Sequence, residues 1–240
     1  MTLPAAVVTG AGRRLGFELS KALLARDYQV FALYRTATDE LEKLREAGAT
    51  LIQVDLSDNH SLSQAIDRIR RTSHLKVLIN NASEFEPNPD DRYDLAQLSE
   101  RLFRTNTIAP MLLIEGLADT LAKAGRGHGW LPVIINITDI FAEKPNPQYA
   151  AYCATKAALA NLTLSYAQSL APEVRVNAIM PGPIRFLPRH TDAEKATVMS
   201  ETLLAREGGF ESVVKQALAL IDNDFMTGAM IPVDGGRRLA

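Results

Sequence analysis

The 240 residues carry 26 basic and 28 acidic side chains, giving a net charge of −2 at pH 7, and 47% of the residues are hydrophobic. This composition is typical of a soluble globular protein and gives no indication of binding to nucleic acid or to an anionic membrane. Cys153 is the only cysteine, which excludes an internal disulfide and a cysteine-rich metal site. No apolar run reaches the roughly 18 residues of a membrane span, and no apolar leader opens the chain. We therefore expect one cytoplasmic domain, residues 1–240, without a metal ion.

Short apolar runs typical of strands alternate with helical patterns along the whole chain, without a linker or a repeat. Strands are predicted at 5–8, 28–34, 50–54, 75–79, 133–137, 175–180 and 229–233. Helices are predicted at 15–25, 39–47, 59–71, 94–124, 149–170 and in two stretches after Thr191, with a bend of the fourth helix near Pro110. This alternation predicts an α/β fold, a Rossmann-type doubly wound parallel sheet with helices on both faces. The proline-rich stretch 181–188 is expected to form a loop that folds over a ligand.

A glycine-rich loop, Thr-Gly-Ala-Gly-Arg-Arg-Leu-Gly at 9–16, follows the first predicted strand. Glycines let the backbone turn tightly beside a phosphate, and the helix that follows offers free N–H groups. The spacing departs from Gly-x-Gly-x-x-Gly, because Leu15 occupies the position of the third glycine. The loop therefore indicates either a nucleotide site or a glycine turn that binds nothing.

The end of the second predicted strand indicates which nucleotide fits. NAD-selective proteins of this architecture place an acidic residue there to hold the ribose hydroxyls, whereas this chain has Tyr34-Arg35-Thr36, with Arg13 expected nearby. A guanidinium and a hydroxyl suit a 2′-phosphate. NADP(H) is therefore preferred to NAD(H), unless Arg35 is merely a solvated arginine after a strand. Asp55, after the third strand, either bonds the adenine amino group or caps a turn.

Tyr152 and Lys156 lie four residues apart in a predicted helix, so their side chains share one face. An ammonium beside a phenol favours the phenolate, and it lowers the tyrosine pKa from about 10 toward the range that is useful for proton transfer. The same spacing also arises by chance on a solvated helix face. The other motifs of the chain must decide whether the pair is catalytic.

Several motifs in one order give the chain a resemblance to the short-chain dehydrogenase/reductase family over essentially its whole length. They are the loop 9–16, Asp55-Leu56, Asn80-Asn81-Ala82-Ser83, Asn106, Tyr152-x-x-x-Lys156 and Pro181-Gly182-Pro183. The resemblance implies that Tyr152 gives or takes the proton and that Lys156 holds the nicotinamide ribose and lowers the tyrosine pKa. It implies that Asn106 helps to keep a water in the proton relay. The implied cofactor-binding residues are Gly10, Arg13, Arg14, Leu15, Gly16, Tyr34, Arg35, Thr36, Asp55, Leu56, Asn81, Ala82, Ser83, Tyr152, Lys156, Pro181, Gly182 and Ile184.

Three departures from that family's pattern narrow the resemblance. Asp139 stands thirteen residues before Tyr152, where the family usually has a serine. Arg14 replaces the usual second glycine of the nucleotide loop, and Phe85 follows Asn-Asn-Ala-Ser-Glu. Together these residues resemble the branch of pteridine reductases and dihydromonapterin reductases, which shares the Thr-Gly-x-x-x-Arg-x-Gly loop and the aspartate. The substrate-binding residues that this implies are Arg14, Phe85, Asp139 and Tyr152.

The chemistry of a pterin is consistent with these residues. A pterin is reduced at a C=N bond, so a ring nitrogen gains a proton as the carbon gains hydride. An aspartic acid whose pKa is raised in a dry pocket can take part in that delivery. Phe85 offers an apolar face to the flat ring, and Arg14 offers a planar cation to the pyrophosphate and to pterin acceptor atoms.

We therefore expect NADPH-dependent reduction of a dihydropterin to the tetrahydro form. Dihydromonapterin is favoured by resemblance, with dihydrobiopterin and dihydrofolate as weaker substrates. A carbonyl or 3-oxoacyl reductase of the same fold is the first alternative, since Thr138 offers a neutral hydroxyl if the register shifts by one residue. A non-catalytic NADP-binding regulator is the second. Family resemblance also implies a homotetramer formed through the helices predicted at 94–124 and 149–170.

Overall fold

Seven parallel strands form one sheet in the structure, a computed structural model that describes residues 2–240. The strands are β1 (Ala5–Thr9), β2 (Gln29–Tyr34), β3 (Thr50–Gln53), β4 (Leu75–Asn80), β5 (Val133–Ile137), β6 (Arg175–Pro181) and β7 (Met230–Val233). Neighbouring strands follow the order β3-β2-β1-β4-β5-β6-β7. The chain winds outward in one direction from β1 and in the other from β4, so the carboxyl ends of β1 and β4 flank the point at which doubly wound sheets bind ligands. The predicted fold class is confirmed.

Helices cover both faces of the sheet. Side chains of β1 alternate between the faces, as the pleat requires. Ala5 and Val7 pack in the core with the helices Asn59–Ile69 and Ala109–His128, and Ala6 and Val8 pack in the core with the helices Arg14–Leu24 and Phe210–Asp222. Burial on both faces explains why the strands read as continuous apolar runs. No helix within residues 2–240 has the length and apolarity needed to cross a bilayer. The helices are α1 (Arg14–Leu24), α2 (Asp39–Glu46), α3 (Asn59–Ile69), α4 (Arg92–Phe103), α5 (Ala109–His128), α6 (Ala150–Ser169), α7 (Asp192–Ser200) and α8 (Phe210–Asp222).

The long helix predicted at 94–124 is two helices joined by a π-helical segment, Arg104–Ile108. The irregularity lies just before Pro110, near which the sequence predicts a bend. Pro110 is the second residue of α5, and α5 continues the π-helical segment without a break, so the missing N–H of Pro110 leaves one helical hydrogen bond unmade at this point. Single π-helical turns inside helices are frequently found at functional sites, and this one contains Asn106.

Candidate active site

A cleft of about 1490 Å³ opens at the carboxyl ends of the strands. Of the cofactor-binding residues that the sequence predicts, Lys156 does not line it, and neither does the predicted catalytic residue Asn106. Both side chains are buried beneath the residues that line the cleft, with 1% of the surface of Lys156 and 0% of that of Asn106 exposed. The predicted residues that line the cleft are Gly10, Arg13, Arg14, Leu15, Gly16, Tyr34, Arg35, Thr36, Asp55, Leu56, Asn81, Ala82, Ser83, Phe85, Asp139, Tyr152, Pro181, Gly182 and Ile184.

The glycine-rich loop 9–16 packs too tightly to accept side chains at two of its glycines. Gly10 has φ +66°, in the left-handed region that favours glycine. A Cβ on Gly16 would lie 2.1 Å from the carbonyl oxygen of Gly10. The Thr9 hydroxyl accepts from the backbone N–H groups of Asn81 and Ala82, each at 2.9 Å, which ties the end of β1 to the segment after β4. A tightly packed glycine-rich loop at the start of a helix leaves room for a pyrophosphate group beside its backbone.

Arg14 adopts a left-handed conformation, φ 52°, although it is not a glycine. Its Nη2 donates to the carbonyl of Arg185 at 2.6 Å, and its guanidinium lies 5.3 Å from the centre of the Phe210 ring. Burial, followed by the charges of Arg13 and Arg185, lowers the pKa of Arg14. The side chain thus holds the loop after β6 against the cleft, a role that the sequence did not indicate.

The left-handed backbone at position 14 gives a test by matched substitutions. Arg14→Gly and Arg14→Ala remove the same guanidinium, but only alanine keeps a Cβ in the unfavourable conformation. We expect Arg14→Gly to be more stable than Arg14→Ala by about 1 kcal/mol, because a left-handed Cβ costs roughly 1–2 kcal/mol and glycine loses part of that gain to unfolded-state entropy. Urea unfolding of the two variants measures the difference. Equal stabilities, or a more stable alanine variant, would contradict the backbone assignment.

Asp139 and Tyr152 meet at the floor of the cleft. The Tyr152 hydroxyl donates to Asp139 Oδ2 at 2.8 Å, while the backbone N–H of Phe141 donates to Asp139 Oδ1 at 2.9 Å. The second bond caps a short 3₁₀ turn that begins at Ile140. The Asp139 side chain therefore caps the turn with one oxygen and accepts the hydrogen bond of Tyr152 with the other. Lys156, one turn further along α6, donates its Nζ to the carbonyl of Ile137 at 3.0 Å.

Burial changes the proton affinities of these three side chains. It raises the pKa of Asp139, and the Phe141 N–H and the Lys156 charge oppose that shift. It lowers the pKa of Lys156 to about 8. Burial and the Asp139 carboxylate together raise the pKa of Tyr152 well above 10. The phenol is bonded to a carboxylate and the ammonium to a backbone carbonyl, so the lowering of the tyrosine pKa by Lys156 stays a prediction.

Asn106 connects the segment after β4 to the helix that carries Tyr152. Its Oδ1 accepts from the Glu84 backbone N–H at 2.8 Å and from the Ser83 hydroxyl at 3.2 Å. Its Nδ2 donates to the Glu84 carbonyl at 2.9 Å and to the Thr155 hydroxyl at 3.1 Å. The amide thus fixes the backbone at Ser83 and Glu84. A role of Asn106 in keeping a relay water stays a prediction.

Phe85 forms an aromatic wall beside the tyrosine. Its ring stacks on Tyr149 with centres 4.5 Å apart and meets Tyr152 edge-on at 4.8 Å. Arg189, from the loop after β6, donates to the Phe85 carbonyl at 3.0 Å and places its guanidinium 5.9 Å from the ring centre. Arg189 directly follows the stretch 181–188, so the continuation of the predicted loop reaches Phe85; folding of the loop over a ligand stays a prediction. Sequence reasoning missed Tyr149 and Arg189, since nothing in their spacing separates them from other surface residues.

The residues predicted to hold the adenosine half make protein contacts of their own. Arg35 forms an ion pair with Glu84, with Nη1 and Oε1 2.7 Å apart, and its side chain is 59% exposed, so its contact with a 2′-phosphate stays a prediction. Asp55 Oδ1 accepts from the N–H and the hydroxyl of Ser57 at 2.9 and 2.7 Å, which is turn capping. These bonds lower the pKa of Asp55. Asp55 also lines the cleft, so its contact with adenine stays a prediction.

No group of three or more histidine, cysteine, aspartate or glutamate side chains that could hold a metal ion occurs within residues 2–240. The observed site is instead a nucleotide-sized cleft that ends in a carboxylate, a phenol and an aromatic wall. A buried carboxylic acid of raised pKa can donate a proton near neutral pH, and the phenol beside it can donate a hydrogen bond to the resulting carboxylate. Such a site suits reduction of a bond whose product requires a proton.

Comparisons with known proteins agree with this geometry. Residues 4–196 match the model of the family described as short chain dehydrogenase. The dihydromonapterin reductase of Klebsiella pneumoniae is 34% identical over 235 residues, which cover 97% of this chain and 96% of that protein. The dihydromonapterin reductase of Escherichia coli K12 is 34% identical over 236 residues, with the same coverage. The crystal structure of FolM alternative dihydrofolate reductase 1 from Brucella canis, complexed with NADP, is similar with a TM-score of 0.85 and 31% identity, covering 99% of this chain and 94% of that one.

Proposed function

Because the chain belongs to the short-chain dehydrogenase family, we propose that it is an NADPH-dependent reductase that converts a dihydropterin to the tetrahydropterin. The observation that carries the proposal is the hydrogen bond between Tyr152 and Asp139, at 2.8 Å, beside the Phe85 wall. Members of the family that reduce ketones place a neutral hydroxyl where this chain has the carboxyl. The names of the similar reductases from Klebsiella pneumoniae and Escherichia coli support the same substrate class.

The residues of the cleft fit NADP(H). The glycine-rich loop 9–16 and the N-terminus of α1 suit the pyrophosphate, and Arg35 suits the 2′-phosphate. No acidic residue occupies 34–36, the positions where NAD-selective sites hold the ribose hydroxyls. When bound, the reduced nicotinamide supplies the hydride. The similar protein from Brucella canis was solved with NADP, which supports this choice of cofactor.

The proton is managed by Asp139 and Tyr152. Burial raises the pKa of Asp139, so the carboxyl retains a proton at higher pH than an exposed aspartate and can donate it to a ring nitrogen. The carboxylate left behind accepts the hydrogen bond of the Tyr152 hydroxyl. The phenol stays protonated, because its own pKa is raised. Lys156 holds the carbonyl of Ile137 and through it the end of β5, from which Asp139 follows.

The carbonyl reductase alternative depends on Thr138 as the neutral donor to a ketone. The Thr138 hydroxyl donates to the carbonyl of Ile179 at 3.0 Å, and the residue is 2% exposed. It therefore faces the neighbouring strand, and a shift of register by one residue does not bring a hydroxyl into the cleft. The regulator alternative is disfavoured because the chain keeps both Tyr152 and Lys156, and Tyr152 lines the cleft.

A substrate panel tests the proposal. Purified protein is given NADPH with dihydromonapterin, dihydrobiopterin, dihydrofolate and a set of ketones and 3-oxoacyl thioesters, and NADPH oxidation is followed by absorbance. We expect kcat/KM to be higher for the dihydropterins than for the ketones, because the carboxyl donor serves a ring nitrogen better than a ketone oxygen. Among the dihydropterins we expect dihydromonapterin to be preferred, since it names the substrate of the similar reductases. Turnover of ketones without turnover of any dihydropterin would overturn the proposal. Parallel assays with NADH measure the preference for the 2′-phosphate.

We further propose a homotetramer, as the family resemblance implies, with contacts through α4, α5 and α6. Leu164 on α6 is 42% exposed, which suits a contact between copies better than a solvated helix face. Light scattering of the purified protein measures the assembly. The cytoplasmic setting stays a prediction from composition and cysteine usage.

A further inference from the structure

The ion pair between Arg35 and Glu84 crosses the nucleotide end of the cleft. Arg35 follows β2 and Glu84 lies in the segment after β4, and β1 is the strand between them in the sheet. Their charged atoms are 2.7 Å apart, so the pair spans the carboxyl end of β1, beside the glycine-rich loop 9–16. Nucleotides bind at this end of β1 in doubly wound folds. The ion pair therefore lies where the adenosine half of a bound nucleotide is expected.

Glu84 is the fixed partner of the pair. Its side chain is 15% exposed, whereas that of Arg35 is 59% exposed. Its backbone N–H and carbonyl are both bonded to the buried amide of Asn106. Its second carboxylate oxygen lies 3.1 Å from Nε of Arg101, which itself pairs with Glu86 at 2.7 Å. Because Glu84 is held by two other groups, Arg35 is the side chain that can change partner.

Resting on the proposed use of NADP(H), we propose that Glu84 is a specificity-determining residue. Arg35 exchanges the Glu84 carboxylate for the 2′-phosphate when NADP(H) binds. Carboxylate and phosphate compete for the same guanidinium, so Glu84 reduces the affinity for nucleotides that carry the 2′-phosphate. A nucleotide without that phosphate offers Arg35 no new partner and leaves the pair closed. Glu84 thus reduces the preference for NADP(H) over NAD(H) that Arg35 creates.

Binding of the two adenosine fragments tests the exchange without any turnover. We would titrate 2′,5′-ADP and 5′-AMP into wild type and Glu84→Gln by calorimetry at low ionic strength. We expect Glu84→Gln to bind 2′,5′-ADP about threefold to fivefold more tightly, because an ion pair of this exposure is worth roughly one kcal/mol or somewhat less. The affinity for 5′-AMP should stay within about twofold. Glutamine keeps the backbone bonds to Asn106, and thermal unfolding checks that the fold is retained.

Two controls isolate the pair. Glu86→Gln removes the same charge two residues away, from the other carboxylate that pairs with Arg101, and should leave the ratio of the two affinities within about twofold. In an Arg35→Ala background, Glu84→Gln should no longer improve binding of 2′,5′-ADP.

The remaining outcomes overturn the proposal in distinguishable ways. An unchanged affinity in Glu84→Gln, an equal gain for both fragments, or an equal gain in Glu86→Gln would overturn the exchange at Arg35 while the proposed cofactor stands. Wild type that prefers 5′-AMP to 2′,5′-ADP would overturn the NADP(H) dependence, and the exchange with it.

Discussion

Replacing Asp139 by serine should lower kcat/KM for dihydropterin by about 10²–10³-fold at neutral pH, within the range that a general acid contributes. A serine hydroxyl still accepts the hydrogen bond from Tyr152, but it cannot release a proton at this pH. Binding of NADPH, followed by fluorescence, should change little, because Asp139 is not among the residues predicted to bind the cofactor. Steady-state kinetics with dihydromonapterin measure the loss. A serine variant that retains activity within tenfold of wild type would remove Asp139 from the proton path.

The pH profile separates an acid from a merely polar group. Only the protonated carboxyl donates, so kcat/KM should fall as the pH rises through the pKa of Asp139. Burial raises that pKa, which moves the falling limb to higher pH than that of an ordinary aspartate. Asp139→Asn keeps an oxygen to accept from the Phe141 N–H and removes the acid, so the limb should disappear in this variant. If kcat/KM of Asp139→Asn still falls at the same pH as in wild type, the fall must be assigned to the titration of another group.

Replacing Tyr152 by phenylalanine should lower kcat for dihydropterin by at least about 10²-fold. The hydroxyl donates to Asp139 at 2.8 Å and stabilises the carboxylate that forms after the proton has left. The same hydrogen bond lowers the pKa of Asp139. In Tyr152→Phe the residual activity should therefore show its falling limb at higher pH than wild type. A loss of activity with an unshifted limb would indicate that Tyr152 acts independently of Asp139.

Tyr166 supplies a matched control for this substitution. It lies on the same helix, and its hydroxyl also donates to a carboxylate, Glu115 Oε1 at 2.7 Å. Burial and that carboxylate raise its pKa as they do for Tyr152. Tyr166→Phe removes an equivalent phenol–carboxylate bond on α6, outside the cleft. We expect kcat to stay within about twofold, because an exposed bond of this kind affects local stability by only about 1 kcal/mol.

Local patterns were sufficient for the fold because each element is encoded in its own residues. The apolar runs of β1, β4 and β5 and the helical spacing of α1 needed no knowledge of distant partners. The π-helical segment just before Pro110 was not predicted, for the complementary reason. It contains Asn106, whose side chain contacts Glu84 and Thr155, and no pattern along the chain indicates those partners.

The sequence by itself determined the chemical inventory of the site: the glycine loop 9–16, the helical pair Tyr152 and Lys156, and Asp139 in place of a hydroxyl. Only the tertiary structure decided how these groups share protons and charge. It bonded Tyr152 to a carboxylate rather than to Lys156, and it gave Arg35 a partner 49 residues away in the chain. Proton affinity depends on burial and on neighbours that the fold brings together, and no spacing along the chain carries that information.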